Sequence, residues 1–433
     1  MSRAKSIPAL LAVVAIGMFG ADSAIGAGPY PIEIKVVKAK PTKVKGLLIG
    51  ARDRCADKVS VRIIGKGRLR AKARTNRIGI FRITPKPKLK AGRSYRTVVQ
   101  KTTNANGETR CERALTKFKV TRSGATSGGK NGSLVFGGLT LDSSSPTPSV
   151  QVYSLKPGAA PVKLTTTSGA VWHECPSWSA DGRLIYFDRD DRGNPAAPAH
   201  IYRVEATGGS PQLSDDPNAP THLCPTVNWT GRWVTAIQYG DDGNGSIIRM
   251  RTDGSDRRAV ARSGKLQDVF SPHFAPGSSR RILFSRLTYK TGGDGIKRSD
   301  LVVVNRSGRK RNITKRNDAR FISPSWSPNG SRILAVRGTA ENEIVRMNAK
   351  GGNVRRLAKV KGAYVNLSDP TYSPDGSKIA YVRCKGDCGD GQGAGSIWVM
   401  DADGSNRKRI LAQASSGVQP AAGLDWGIRP PSP

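Results

Sequence analysis

Between Gly28 and Thr121, apolar and polar residues alternate in short runs: IEIKVV, VKGLLIGA, VSVRII, GIFRIT, SYRTVVQ and ALTKFKV. A period of two is the mark of strands with one buried face. Turn-forming residues fall between the runs, at Gly65 to Gly67, Pro85 to Pro87 and Asn104 to Gly107. This spacing predicts a seven-strand antiparallel β-sandwich over residues 28–121. Ahead of it, Arg3 and Lys5 precede an apolar run from Ile7 to Gly20 and the small residues Ala24 to Gly26. That order reads as a signal peptide over 1–27. The apolar run falls short of the ~20 residues a spanning helix needs, so the mature chain is expected to be exported and to carry no transmembrane helix.

A Gly/Ser-rich linker over 122–132 separates the sandwich from a repeating region. Its units begin CPSWSADGRLIYF at Cys175, CPTVNWTGRWVTA at Cys224, SPHFAPGSSRRILF at Ser271, SPSWSPNGSRILAV at Ser323 and DPTYSPDGSKIAYV at Asp369. The prolines Pro176, Pro225, Pro272, Pro324 and Pro370 stand 49, 47, 52 and 46 residues apart. A period near 50 is the length of a four-stranded propeller blade. Each unit continues into a hairpin with a glycine turn, such as IIRMRTDGSDRRAV or IWVMDADGSNRKRI. Trp178, Phe274, Trp326 and Tyr372 are expected as large plugs between neighbouring sheets, with Val227 the small exception. The two ends are complementary. Residues 131–169 supply three strands and lack the Pro-aromatic one, whereas PAAGLDWGI near Trp426 supplies that strand alone. Pairing them would give six blades over 133–428 and remove the open edges, leaving a short tail at 429–433.

The SPDG turn followed by IWVMDADGSNRKRI is similar to the TolB-like, WD40-like β-propeller repeats of bacterial envelope proteins. The resemblance spans roughly residues 131–428. It implies an all-β chain: a six-bladed TolB-like propeller preceded, in strand count alone, by an immunoglobulin-like or carboxypeptidase-regulatory-like sandwich. It also implies a non-catalytic scaffold, periplasmic, secreted or cell-wall associated, that binds an envelope protein or glycan. TolB itself partners the peptidoglycan-associated lipoprotein, but its propeller follows an α/β domain where this chain carries the sandwich pattern. That partner is therefore not carried over.

Charge adds a second expectation. The 433 residues hold 71 Lys plus Arg against 32 Asp plus Glu, a net +39, and residues 28–121 alone hold 26 against 5. Such a field attracts polyanions, here anionic wall polymers or a lipid surface. Arg68, Arg70, Lys72 and Arg74 in the first region are candidate contacts. So are Arg257, Arg258, Arg407, Lys408 and Arg409 on the fourth strands of the repeats, where charge also deters edge-to-edge pairing. Aromatic residues for base stacking are sparse between 28 and 121, with Tyr30, Phe81, Tyr95 and Phe118 only, so no specific nucleic-acid binding is expected. The alternative is that these cations simply solubilise strand faces.

Candidate chemistry is thin. His173 and His222 share the pattern HxCP, and His273 follows another repeat proline. If the first strands line a channel, these imidazoles could meet at its mouth and serve a metal or acid-base chemistry, as in TolB-like polysaccharide lyases. The plainer reading is duplicated histidines flanking a disulfide. Six cysteines in an exported chain suggest three local bridges, Cys55 with Cys111, Cys175 with Cys224 and Cys384 with Cys388. The turns at Asp188 to Asn194, Asp241 to Gly245 and Asp401 to Gly404 have calcium-like spacings but lack a full twelve-residue loop, and Asx-turns explain them. No cofactor is expected, with calcium or another divalent metal the exception to test. No GxSxG, HExxH or nucleotide-binding motif stands in a suitable context. The sequence therefore favours a monomeric, non-enzymatic binding scaffold over a carbohydrate-active lyase or hydrolase.

Overall fold

The structure, a computed structural model, describes residues 33–49, 59–75, 80–100, 102–103, 109–111, 113–120, 131–140 and 148–428. Within the last span, 195, 241, 292–294, 306, 316–318, 339–341, 361–364, 387–393 and 413–415 are not described. The signal peptide over 1–27, Cys55, Cys388 and the tail at 429–433 lie outside the described residues.

The first region holds two antiparallel sheets over one core, and a short two-stranded ladder of Thr102–Thr103 with Thr109–Cys111. Glu33–Lys40, Lys43–Ile49 and Ile80–Ile83 form a three-stranded sheet. Arg68–Arg74, Ser60–Gly65, Ser94–Val99 and Ala114–Lys119 form, in that order, a four-stranded one. Val36, Val44, Phe81 and Ile83 from the first sheet meet Val61, Ile63, Val99 and Phe118 from the second in a single apolar cluster. Burying alternate Val, Ile and Phe side chains on facing sheets is what the period of two encodes. The strand RLRAKAR, absent from the six expected runs, is the difference. Its inward residues are only Ala71 and Ala73, so small and flanked by cations that the segment does not look apolar in sequence.

The second region consists of antiparallel sheets whose strands follow chain order. Four sheets of four strands begin at His222–Val227, Gln267–Phe274, Arg320–Trp326 and Val365–Tyr372. A further sheet of eight strands holds Val171–Trp178 and three following strands, together with Asn131–Thr140, Ser149–Leu155, Val162–Lys163 and the C-terminal Gln419–Ile428. Its two halves touch through one parallel bridge, Val150 to Trp172. The C-terminal strand pairs antiparallel with Asn131–Thr140, bringing Leu134 opposite Trp426 and Phe136 opposite Leu424. Trp426 Nε1 donates to Gly132 O at 3.1 Å. Leu134, Phe136 and Trp426 pack against Ala380, Val382 and Ile397 of the preceding sheet. On the other side Val135 and Val152 pack against Trp178, Ile185 and Phe187.

Each first strand of a repeat is interrupted at the same place. Register shifts fall between Glu174 and Ser177, Leu223 and Thr226, Phe270 and His273, Ile322 and Ser325, and Ser368 and Thr371. The residue before the proline is left-handed in every case: Cys175 (φ 47°), Cys224 (50°), Ser271 (49°), Ser323 (46°) and Asp369 (47°). In the C-terminal strand the matching residue is Gly423, at φ 62°. Positive φ costs a non-glycine residue about 1–3 kcal/mol, so five repeated instances mark a bulge that the surrounding sheets impose.

Candidate functional site: the channel of the repeats

The bulges turn one end of each first strand toward a shared cavity of roughly 180 Å³. Its outer ring is Cys175, Cys224, Ser271, Ser323, Asp369 and Gly423, followed by the prolines. One residue deeper stand Ser177, Thr226, His273, Ser325, Thr371 and Asp425. Trp178, Phe274, Trp326, Tyr372 and Trp426 close the floor and line a second cavity of about 200 Å³ beyond it. The plug residues are buried as expected, and Val227 lines the same space.

The deeper ring joins neighbouring sheets. Thr226 Oγ1 donates to Pro272 O at 2.6 Å, and Ser325 Oγ donates to Pro370 O. Asp425 Oδ2 accepts from Trp178 N at 2.9 Å, linking the last first-strand equivalent to Val171–Trp178. The hydroxyls are thus committed to holding sheets together. On the outer ring Cys175 and Cys224 form the expected disulfide, Cα atoms 4.8 Å apart. Beneath it Asp188 Oδ1 accepts from Cys224 N at 2.9 Å. Burial, with the Glu174 carboxylate beside it, pushes Asp188 up to about 8. The sulfurs and this carboxylate cluster within 4.8 Å, but the disulfide removes the thiolates a metal would need. Asp369 faces the cavity with its carboxyl raised by burial, against the opposing pull of Ser368. Cys384 is also disulfide-bonded; Cys388 and Cys55 lie outside the described residues, as does the side chain of Cys111.

The structure does not gather the three histidines at the channel mouth. His173 and His222 lie two residues before the bulge and His273 two after it, so the kink sends them in different directions. Of the three, His273 alone lines the cavity, and burial pushes it down to about 4. His173 is fully buried with its ring 4.7 Å from that of Phe187. Its Nδ1 is 2.9 Å from Thr165 Oγ1, whose proton goes to Gln151 Oε1, so Nδ1 is the donor, and among the described residues Nε2 has no partner. Burial, helped by the Arg189 charge, pushes His173 down to about 3. His222 is held by the Asp215 carboxylate at Nδ1 and by Gln238 Oε1, 3.3 Å from Nε2.

The acidic turns use their carboxylates internally. Asp191 Oδ1 accepts from Gly193 N, Asp242 from Asn244 N and Asp403 from Ser405 N, all Asx-turns. The basic residues of the fourth strands divide. Arg258, Lys408 and Arg409 are exposed on outermost strands and Arg257 is exposed just before one, with Arg258 Nε 2.9 Å from Asp256. Arg407 instead reaches Gly404 O and, on the preceding sheet, Leu357 O. In the first region Arg68, Lys72 and Arg74 are exposed and Arg70 is half-buried.

Antiparallel four-stranded sheets whose first strands line one central cavity define a β-propeller. Residues 237–425 match the family model for the TolB beta propeller domain. The Tol-Pal system protein TolB of Anaeromyxobacter dehalogenans is 27% identical over 176 residues, covering 40% of this chain and 36% of its own length. An uncharacterized protein of Agrobacterium fabrum is 28% identical over 243 residues, covering 53% of this chain and 76% of that protein. The crystal structure of TolB from Acinetobacter baumannii superposes with a TM-score of 0.51 at 14% identity, covering 79% of this chain and 81% of the other. The chain is thus a β-propeller protein whose repeats are similar to the TolB propeller domain. It spans about a third of the length of the curated TolB relatives it matches.

Proposed function

We propose that this protein is an exported, non-enzymatic scaffold of the bacterial envelope, in which a closed six-bladed ring presents its channel mouth to a protein partner. The pairing of Gln419–Ile428 with Asn131–Thr140 supports the count, since it joins the incomplete first module to the strand it lacks. The two-sheet region ahead of it is read as an immunoglobulin-like or carboxypeptidase-regulatory-like sandwich. The relatives named as Tol-Pal proteins support an envelope location and an interaction role. The observation that carries the reading is the composition of the channel. Hydroxyls engaged between sheets, prolines and a disulfide make a rigid rim suited to docking a partner.

A photo-crosslinking residue at Ser271 or Ser323, on the rim, should capture an envelope protein that the same residue at Arg409 does not. Equal capture at both positions contradicts the reading. One observation favours a second function: His273, neutral at pH 7 and facing the cavity, is placed as a base for a glycan lyase. Turnover of an acidic oligosaccharide that disappears in His273→Ala would replace the scaffold reading with this one.

A further inference from the structure

The four-stranded sheet of the first region has an outward face that the propeller's role leaves unused. Residues directly paired across antiparallel strands share a face. One cross-strand row therefore consists of Leu69, Ile64, Arg96 and Lys117, and the next of Lys72, Arg62, Val98 and Leu115. Arg74 stands opposite Ser60 in a third row. The register shift between Ile63 and Ile64 is what places Leu69 outward while Ala71 and Ala73 stay against the core.

These rows make a diagonal apolar stripe, Leu69, Ile64, Val98 and Leu115, running from one edge of the sheet to the other. Arg96 and Lys117 flank it on one side; Lys72, Arg62 and then Arg74 flank it on the other. All five cations are exposed. Leu69 is 55% and Leu115 53% exposed, whereas Val98, at 3%, is buried. None of the four strands contains Asp or Glu. Among the described residues Arg62, Lys72, Arg74 and Arg96 form no ion pair.

We propose that this face binds the anionic phospholipid surface of a bilayer, with the guanidinium and ammonium groups at the phosphates and Leu69 and Leu115 at the acyl boundary. A polybasic surface draws to anionic lipid through each cation near the phosphate plane. Long basic side chains lay their stems along apolar surface and keep their heads at the interface. A linear polyanion would engage the cations and leave the leucines in water. The described chain has six exposed large apolar residues, and two of them sit on this one cationic face, which decides for lipid.

The test is co-sedimentation of the full chain with phosphatidylcholine vesicles, with and without phosphatidylglycerol, beside retention on heparin. The wild type should bind the anionic vesicles and not the neutral ones. Arg62→Gln with Arg96→Gln should weaken vesicle binding roughly 30-fold, about fivefold per cation, and shorten heparin retention. Leu69→Ser with Leu115→Ser should weaken vesicle binding about tenfold and leave heparin retention unchanged. All four side chains lie on the outward face, and unchanged thermal unfolding of each variant confirms that folding is not the cause. Failure of the wild type to bind anionic vesicles, equal binding to neutral ones, or a leucine pair that binds as the wild type does would each overturn the proposal.

Discussion

A set of propeller arginines and the outward sheet face of the first region use their cations in opposite ways. In the propeller, Arg192 lies 3.3 Å over the Trp172 ring, Arg249 lies 3.4 Å over Trp233 and Arg281 lies 4.8 Å over Trp326. Arg346 Nη1 donates to Ala402 O of the next sheet at 2.7 Å, and Arg311 Nη2 to Lys350 O at 3.2 Å. These cations are structural: their charge is spent on aromatic faces and on carbonyls that no strand pairing satisfies. In the first region the outward sheet face holds cations with no carboxylate on its strands. Net charge therefore says little by itself; what matters is whether the neighbouring elements supply acceptors.

The largest expected effect lies at the seam of the propeller. Trp426→Ala should cost about 3–5 kcal/mol, because the indole is buried between the last strand and the preceding sheet and also donates to Gly132 O. In urea unfolding the propeller transition should shift and that of the first region stay in place. A joint shift would show that the two regions do not unfold separately.

Removing the Cys175–Cys224 bridge comes next. The bond closes a sequence separation of 49, which corresponds to about 4 kcal/mol of loop entropy in the unfolded chain. Calorimetry of Cys175→Ala with Cys224→Ala should show that loss. An unchanged propeller transition would mean that the strained bulges hold without the bridge.

A smaller effect depends on pH. The folded Asp188 carboxyl titrates near 8, far above its ordinary 3.8. Its contribution to stability is thus complete below 3.8 and lost as pH rises toward 8. His173 has the opposite sign: depressed from 6.5 to about 3, it costs stability as pH falls through that window. Between pH 6.5 and 8 Asp188 acts alone of the two. There Asp188→Asn, which keeps an oxygen for Cys224 N, should flatten the decline seen in wild type. Parallel slopes for the two proteins would contradict the assignment.

The smallest effect sharpens the contrast most. Arg249→Ala should cost about 1 kcal/mol through the lost Trp233 contact, and Arg62→Ala should stay within about 0.5 kcal/mol. Equal losses would erase the distinction between structural and free cations.

The sequence carried much of this architecture and little of its site. Period, plug aromatics and hairpin glycines are local patterns, and each reads directly from residue type. The left-handed residues before the prolines do not, because Cys, Ser and Asp at φ 46–50° carry no signal that glycine would; only the C-terminal strand has glycine, Gly423, at this position. The histidines misled for the same reason. His173 and His222, three residues before a proline, are buried, whereas His273, directly after one, lines the cavity, because the bulge between them changes which side of the strand faces it. The strand Arg68–Arg74 was hidden because its core contacts are two alanines. Its outward pattern becomes visible only once the register with Ser60–Gly65 is known.

Ring closure is the claim on which the propeller reading turns, and hydrogen exchange of the backbone amides tests it directly. The strand Asn131–Thr140 should exchange as slowly as the interior strand Ile282–Tyr289, and it should lose that protection in Trp426→Ala while Ile282–Tyr289 keeps it. Rapid exchange across Asn131–Thr140 in the wild type would mean that the two ends are not paired, and the account of a closed ring would fall.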